Sequence, residues 1–181
     1  MNQLNKIDHR ELYKSCPLCS SLNFDIINQS DCSQHPSYSK ELPSSMIWME
    51  CSNCNHIFTN GYFNEDALKL IFNSTQVSQE VGNNVEVNRP VSARIIDKIT
   101  PYKSKGIWLD IGFGNGSLLF TAQEYGFNPV GLDLRYKTVQ DMKLAGIECY
   151  QSKIEDFTFD KKISVISMAD VLEHTVNPKF S

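Results

Sequence analysis

The run Leu109-Asp110-Ile111-Gly112-Phe113-Gly114-Asn115-Gly116-Ser117-Leu118-Leu119 constrains the fold more than any other part of the chain. Ile107, Trp108 and Leu109 are apolar and suited to a strand; three alternating glycines follow, and then an apolar stretch able to form a helix. Glycine admits positive φ and close approach of the backbone to a ligand, so the segment reads as strand, tight turn and helix start. A turn of this kind before a helix is a usual way to hold a nucleotide-like ligand. The dinucleotide-binding spacing is G-x-G-x-x-G. Here Gly116 falls one residue early and Ser117 stands at the third-glycine position, so the pattern is G-x-G-x-G, with Asp110 two residues before the first glycine.

Two later segments extend this pattern. Asn128-Pro129-Val130-Gly131-Leu132-Asp133-Leu134 reads as a second strand ending in an acid. A carboxylate at that tip can accept hydrogen bonds from both hydroxyls of a ribose. A helical stretch (Lys137 to Ala145) and a short strand (Ile147 to Tyr150) follow, with Cys149 as a small core residue of the strand. Beyond Ile154-Glu155-Asp156-Phe157, the residues Ile163 to Met168 are mostly apolar and read as a buried parallel strand. Val171-Leu172-Glu173-His174 comes directly after it.

Taken in this order, the glycine turn with Asp110, the acid Asp133 and the Val-Leu-Glu-His segment resemble the class I S-adenosylmethionine (SAM)-dependent methyltransferases, over roughly residues 93 to 181. The resemblance implies an α/β, Rossmann-like sheet of which this chain supplies the first half, in strand order 3-2-1-4, and it implies SAM as cofactor. Gly112, Gly114 and Gly116 would then admit the methionine part and the ribose, and Asp110 would order the turn or meet the amino end. Asp133 would take the ribose hydroxyls, with Leu134 beside it. Met168 and Ala169 would line the cofactor by backbone. Many family members carry an adenine-contacting acid slightly before Glu155. This chain has Lys153 there, which leaves the backbone around Ile154 and Glu155 for that contact. His174 is the candidate general base, since imidazoles titrate near neutrality. The competing reading is that Glu173 or His174 only fixes the loop.

The amino-terminal part carries a different chemistry. Cys16-Pro17-Leu18-Cys19 and Cys51-Ser52-Asn53-Cys54 each present two thiolates from one turn, and two such knuckles complete a closed four-cysteine zinc site. About 31 residues separate the pairs, against roughly 15–20 in the compact pattern. A polar loop over Asn28 to Ser45 accounts for the difference. A redox dithiol belongs near a βαβ pattern. Disulfides belong to an oxidising compartment, and Met1 to Ser15 has no signal-peptide apolar core. His56 flanks the second knuckle. Cys32 and His35 in the polar loop leave open a replaced ligand or a second ion.

Composition then bounds the partners. The chain has 181 residues, 41% of them hydrophobic, and a formal net charge of −4. That balance gives no electrostatic footprint for nucleic acid, and no apolar run approaches the roughly 20 residues of a membrane span. The organisation expected is a zinc ribbon over 1–62, a helical linker or lid over 63–92, and a partial SAM-binding domain over 93–181. Asn64 to Phe72 reads as a short amphipathic helix. Asn73 to Asn88, without an apolar period, reads as linker or lid, and Pro90 to Ile99 as a helix with Pro90 near its first turn. The fourth strand would form an open sheet edge, which invites pairing with another chain or with further sequence. A zinc knuckle followed by this fold resembles bacterial enzymes that methylate nucleotide-linked sugars, and their relatives in surface-polysaccharide and secondary-metabolite pathways. The leading expectation is a cytoplasmic small-molecule methyltransferase with a structural zinc. A zinc-ribbon ribosomal-RNA methyltransferase and an inactive scaffold or binding module on a truncated SAM fold are the alternatives.

Overall fold

The computed structural model describes residues 9–35, 38–72 and 77–175. The chain divides into two compact units, with the boundary between residues 74 and 75. Residues 73–76 of the expected linker, and the terminal residues 176–181, lie outside the described residues.

The first unit contains β1 (Arg10–Leu12), β2 (Phe24–Asp31), β3 (Ser45–Cys51), β4 (Ile57–Thr59), β5 (Gly61–Phe63) and α1 (Glu65–Phe72). β2, β3 and β4 form an antiparallel sheet in that order, and β1 pairs with β5. Its core is small: Cys16, Met49, Cys51 and Phe58, with Tyr13 and Phe24 packed against them. A core of this size is the kind that natural proteins staple with a metal. Asn64 starts α1 by accepting the Ala67 amide on its side-chain oxygen.

The expected polar loop over Asn28 to Ser45 is corrected at its start. Asn28 to Asp31 belong to β2 and pair across to β3, ending with Asp31 opposite Ser45. β2 is an edge strand with mostly exposed side chains. Its backbone ladder holds without the apolar alternation that would have marked it as a strand.

The second unit contains α2 (Val85–Ile99), β6 (Gly106–Ile111), α3 (Ser117–Glu124), β7 (Phe127–Asp133), α4 (Tyr136–Leu144), β8 (Glu148–Gln151) and β9 (Ile163–Ser167). Short 3-10 turns lie at Val77–Gln79, Ile154–Asp156 and Leu172–His174. The four strands form a parallel sheet in the order β8-β7-β6-β9, the expected 3-2-1-4. On one face Trp108 packs with Phe127, Ala122 of α3 and Ile96 of α2. On the other, Leu109, Ile111, Val130 and Leu132 are covered by Ile154, Phe157, Met168 and Val171. This is a Rossmann-like α/β sheet in the strand order that the resemblance implies.

Two expectations change here. α2 starts at Val85, so Pro90 lies inside the helix and not near its first turn, and Val85 to Asn88 are helical. The helix buries only Ser92 and Ile96. With so few buried positions its first turns show no apolar period, and Asn84 at φ 51 marks the start instead. β9 is half-exposed and not buried, with Ile166 57% exposed, because among the described residues it pairs with β6 alone. No helix among the described residues is long and apolar enough to cross a membrane.

Candidate functional site

The glycine turn follows β6 directly. Gly112, Gly114 and Gly116 all have positive φ, at 70°, 56° and 82°. The Gly112 amide donates to the Leu132 carbonyl at 2.7 Å, which anchors the turn to β7. Asn115 accepts both the amide and the hydroxyl of Ser117, and so opens α3. The three glycines do different jobs. A Cβ at Gly112 would lie 2.5 Å from Val171, and one at Gly116 would lie 2.0 Å from Met142. A Cβ at Gly114 would meet no atom of the described residues within 4 Å. The outer two glycines serve packing, and the middle one is where a ligand can reach the backbone. Gly131 of β7 makes room for the turn itself, since a Cβ there would lie 2.7 Å from the Phe113 ring.

Two buried carboxylates flank this turn at the carboxyl ends of β6 and β7. Asp110 accepts a hydrogen bond from the Ser167 hydroxyl at 2.6 Å. Burial pushes its carboxyl up to about 7, against the pull of the Ser167 hydrogen bond, and the nearby Asp133 adds in the same upward direction. Asp133 is equally buried, but its carboxylate is engaged. Oδ1 accepts from the Arg135 amide and Nε, each at 2.9 Å, and Oδ2 accepts from Nη2 at 2.7 Å. Arg135 Nη1 in turn donates to Gln79 at 2.9 Å. An acid at this strand tip is expected to accept from both hydroxyls of a ribose. A carboxylate offers about four acceptor positions, and three are taken here, so a diol would have to displace part of the guanidinium. The sequence assigns no site role to Arg135, Gln79, Ser167 or Trp108. Only Arg135, two residues beyond a strand-end acid, carried a local signal.

The strand register brings Asp110, Gly112, Asp133, Ser167 and Met168 to one end of the sheet. Ile154 and Met168 pack in the same apolar cluster beneath that end, whereas Leu134, Glu155 and Ala169 are exposed. Val171 ties the segment after β9 to Gly112. His174 sits three residues further on, exposed, its amide bonded back to the Val171 carbonyl.

In the first unit, Cys16, Cys19, Cys51 and Cys54 bring their four Sγ atoms within 4.8 Å of one another. Cys16 and Cys54 are 3.8 Å apart, and Cys19 and Cys51 3.5 Å. Zinc–sulfur bonds of about 2.3 Å in a tetrahedron place the sulfurs about 3.8 Å apart, so the four thiols fit such an ion. Disulfide bonding needs about 2 Å. Tight turns present each pair: the Ser20 amide donates to the Cys16 carbonyl and the Asn55 amide to that of Cys51, with both turn residues at positive φ. Cys32 and His35 are not in this group, and the His56 ring stacks on Phe58.

No protein-family model matches the chain, and no curated protein matches it. Among the solved structures similar to this chain are two that match over 51% of it. One is DesVI of Streptomyces venezuelae, at 22% identity and a TM-score of 0.39. The other is a Methanococcus maripaludis protein assigned by inference to the SAM-dependent methyltransferases, at 19% identity and a TM-score of 0.38. The chain matches 42% and 52% of the lengths of those two structures, about half.

Proposed function

We propose that the second unit binds SAM and is the cofactor-binding half of a methyltransferase that acts on a small molecule. The observation that supports this reading is the open Gly114 backbone between two buried carboxylates, Asp110 and Asp133, at the carboxyl ends of adjacent parallel strands. In open α/β sheets ligands bind outside the carboxyl ends of the strands. Gly112 to Gly116 would hold the methionine part and ribose, Asp133 the ribose hydroxyls, and Leu134, Ile154 and Glu155 the adenine. Met168 and Ala169 would complete the lining by backbone.

When bound, SAM supplies an already activated methyl group. What remains for the chain is to orient the acceptor and to take a proton where the acceptor is a hydroxyl. His174, exposed beyond the carboxyl end of β9, is the residue proposed for that proton. The first unit would hold one structural zinc through Cys16, Cys19, Cys51 and Cys54. A nucleotide-linked sugar, or a precursor of a surface polysaccharide or secondary metabolite, is the acceptor class proposed from the order of the two units. A net charge of −4 disfavours ribosomal RNA.

Calorimetric titration with S-adenosylhomocysteine tests the reading. Wild-type protein should bind it, and Asp133→Ala should weaken binding about 10-fold or more, the loss of at least 1.4 kcal/mol. No binding at millimolar ligand would leave the inactive-scaffold alternative.

A further inference from the structure

A polar side-chain relay in the second unit links Asp110 to two residues that the scheme above does not use, Ser167 and Trp108. Trp108, 1% exposed, donates its indole Nε1 hydrogen to Ser167 Oγ at 2.8 Å, and Ser167 donates its own hydrogen to Asp110 Oδ1 at 2.6 Å. The three side chains share one face of two adjacent strands. Trp108 and Asp110 are two residues apart on β6, and Ser167 is the partner of Asp110 on β9. An indole nitrogen can only donate. Ser167 oxygen therefore accepts from Trp108, and its single proton is directed at the carboxylate. Trp108 thus sets the direction in which an otherwise rotatable hydroxyl donates.

We propose that Ser167 is a positioning residue for the glycine turn: held by Trp108, its hydroxyl fixes Asp110 in the orientation in which that carboxylate meets the ligand's ammonium group. This rests on the reading that the turn takes SAM. Asp133 is the charged group that acts on the Asp110 carboxyl, although α2, whose Arg89, Arg94, Asp97 and Lys98 are charged, packs on the same sheet face. β6 carries no other charged side chain, β7 brings Asp133, which is paired with Arg135, and β9 carries none. The Ser167 hydrogen bond is the one that favours the ionised carboxyl, opposing burial and Asp133. Replacing Ser167 by alanine should therefore move Asp110 protonation to higher pH, and with it the pH at which the ligand binds well.

Two readouts on the whole chain test this, one of them free of ligand. In 15N-labelled protein the Trp108 indole resonance is followed between about pH 5 and 9, bracketing the Asp110 midpoint. The Trp48 indole, which donates to Ser30, is the internal control. The Trp108 signal should titrate near pH 7 in wild type and in Ser167→Thr, and should lose that inflection in Ser167→Ala. S-adenosylhomocysteine should bind more tightly above the midpoint in wild type. In Ser167→Ala the binding profile should move to higher pH, and Trp108→Phe, which keeps the ring and loses the donor, should move it the same way. A Trp108 signal in wild type that ignores pH overturns the proposal, as does a Ser167→Ala profile that superimposes on wild type. A normal Trp108 titration without ligand binding at any pH sinks the cofactor reading while upholding Ser167 as the residue that sets Asp110.

Discussion

Replacing Arg135 by methionine tests the pairing that most alters the site. The Arg135 and Asp133 side chains are 9% and 5% exposed, and the guanidinium makes two of the three hydrogen bonds that Asp133 accepts. Removing one partner of a buried ion pair costs roughly 3–5 kcal/mol, because the other charge is left without compensation. The third bond comes from the Arg135 backbone amide and survives the substitution. The two residues are also close in the unfolded chain. Both facts place the loss near the lower end, about 3 kcal/mol. For a unit of around 100 residues each kcal/mol moves the melting temperature by about 4–8 °C, so Arg135→Met should melt roughly 12–24 °C lower by circular dichroism. Asp133→Asn combined with Arg135→Met should recover most of that loss, giving a coupling energy on the order of 2 kcal/mol. A single variant within about 0.5 kcal/mol of wild type, or additive losses in the pair, refutes the reasoning.

Other expectations follow from the same geometry. If Asp133 takes the ligand diol as proposed, the guanidinium competes for it, and Arg135→Met should bind S-adenosylhomocysteine several-fold more tightly, measured below its melting point; weaker binding refutes the competition. Asp110 has a native-state pKa raised to about 7 from an ordinary 3.8. The folded state therefore holds the proton more tightly than the unfolded one between these values, so stability falls as pH rises from about 4 to 7 and levels off above. Asp110→Asn should lack that decline, and melting curves at the two ends of the window check it. Gly116→Ala should destabilise by about 2 kcal/mol or more, since its Cβ meets Met142 at positive φ, whereas Gly114→Ala should cost only about 1 kcal/mol but impair ligand binding. Elemental analysis should find about one zinc per chain, and a chelator should unfold the first unit; a metal-free, folded unit would refute the four-cysteine site. His174→Ala should lower methyl transfer on the order of 100-fold without changing cofactor affinity, if that imidazole takes the acceptor's proton.

The amino-acid sequence by itself determined the features that depend on backbone conformation over a few residues. Three alternating glycines after an apolar run dictate a strand, a turn and a helix, because only glycine takes positive φ at every second position without strain. Each C-x-x-C knuckle is likewise a single turn, and the four parallel strands announce themselves as short β-prone runs. Elements held by pairing across the chain were not legible: the polar residues Asn28 to Asp31 are a strand only because β3 lies beside them, and the start of α2 carries little apolar signal. The same division runs through the site. Asp110 and Asp133 could be picked out as acids at strand ends, but, apart from Arg135 two residues beyond Asp133, the groups they touch could not. Ser167 reaches Asp110 from 57 residues away through strand register, and Gln79 reaches Arg135 from 56. A buried charge takes its orientation and its proton affinity from whatever the fold sets within a few ångströms of it, and only the tertiary structure decides that.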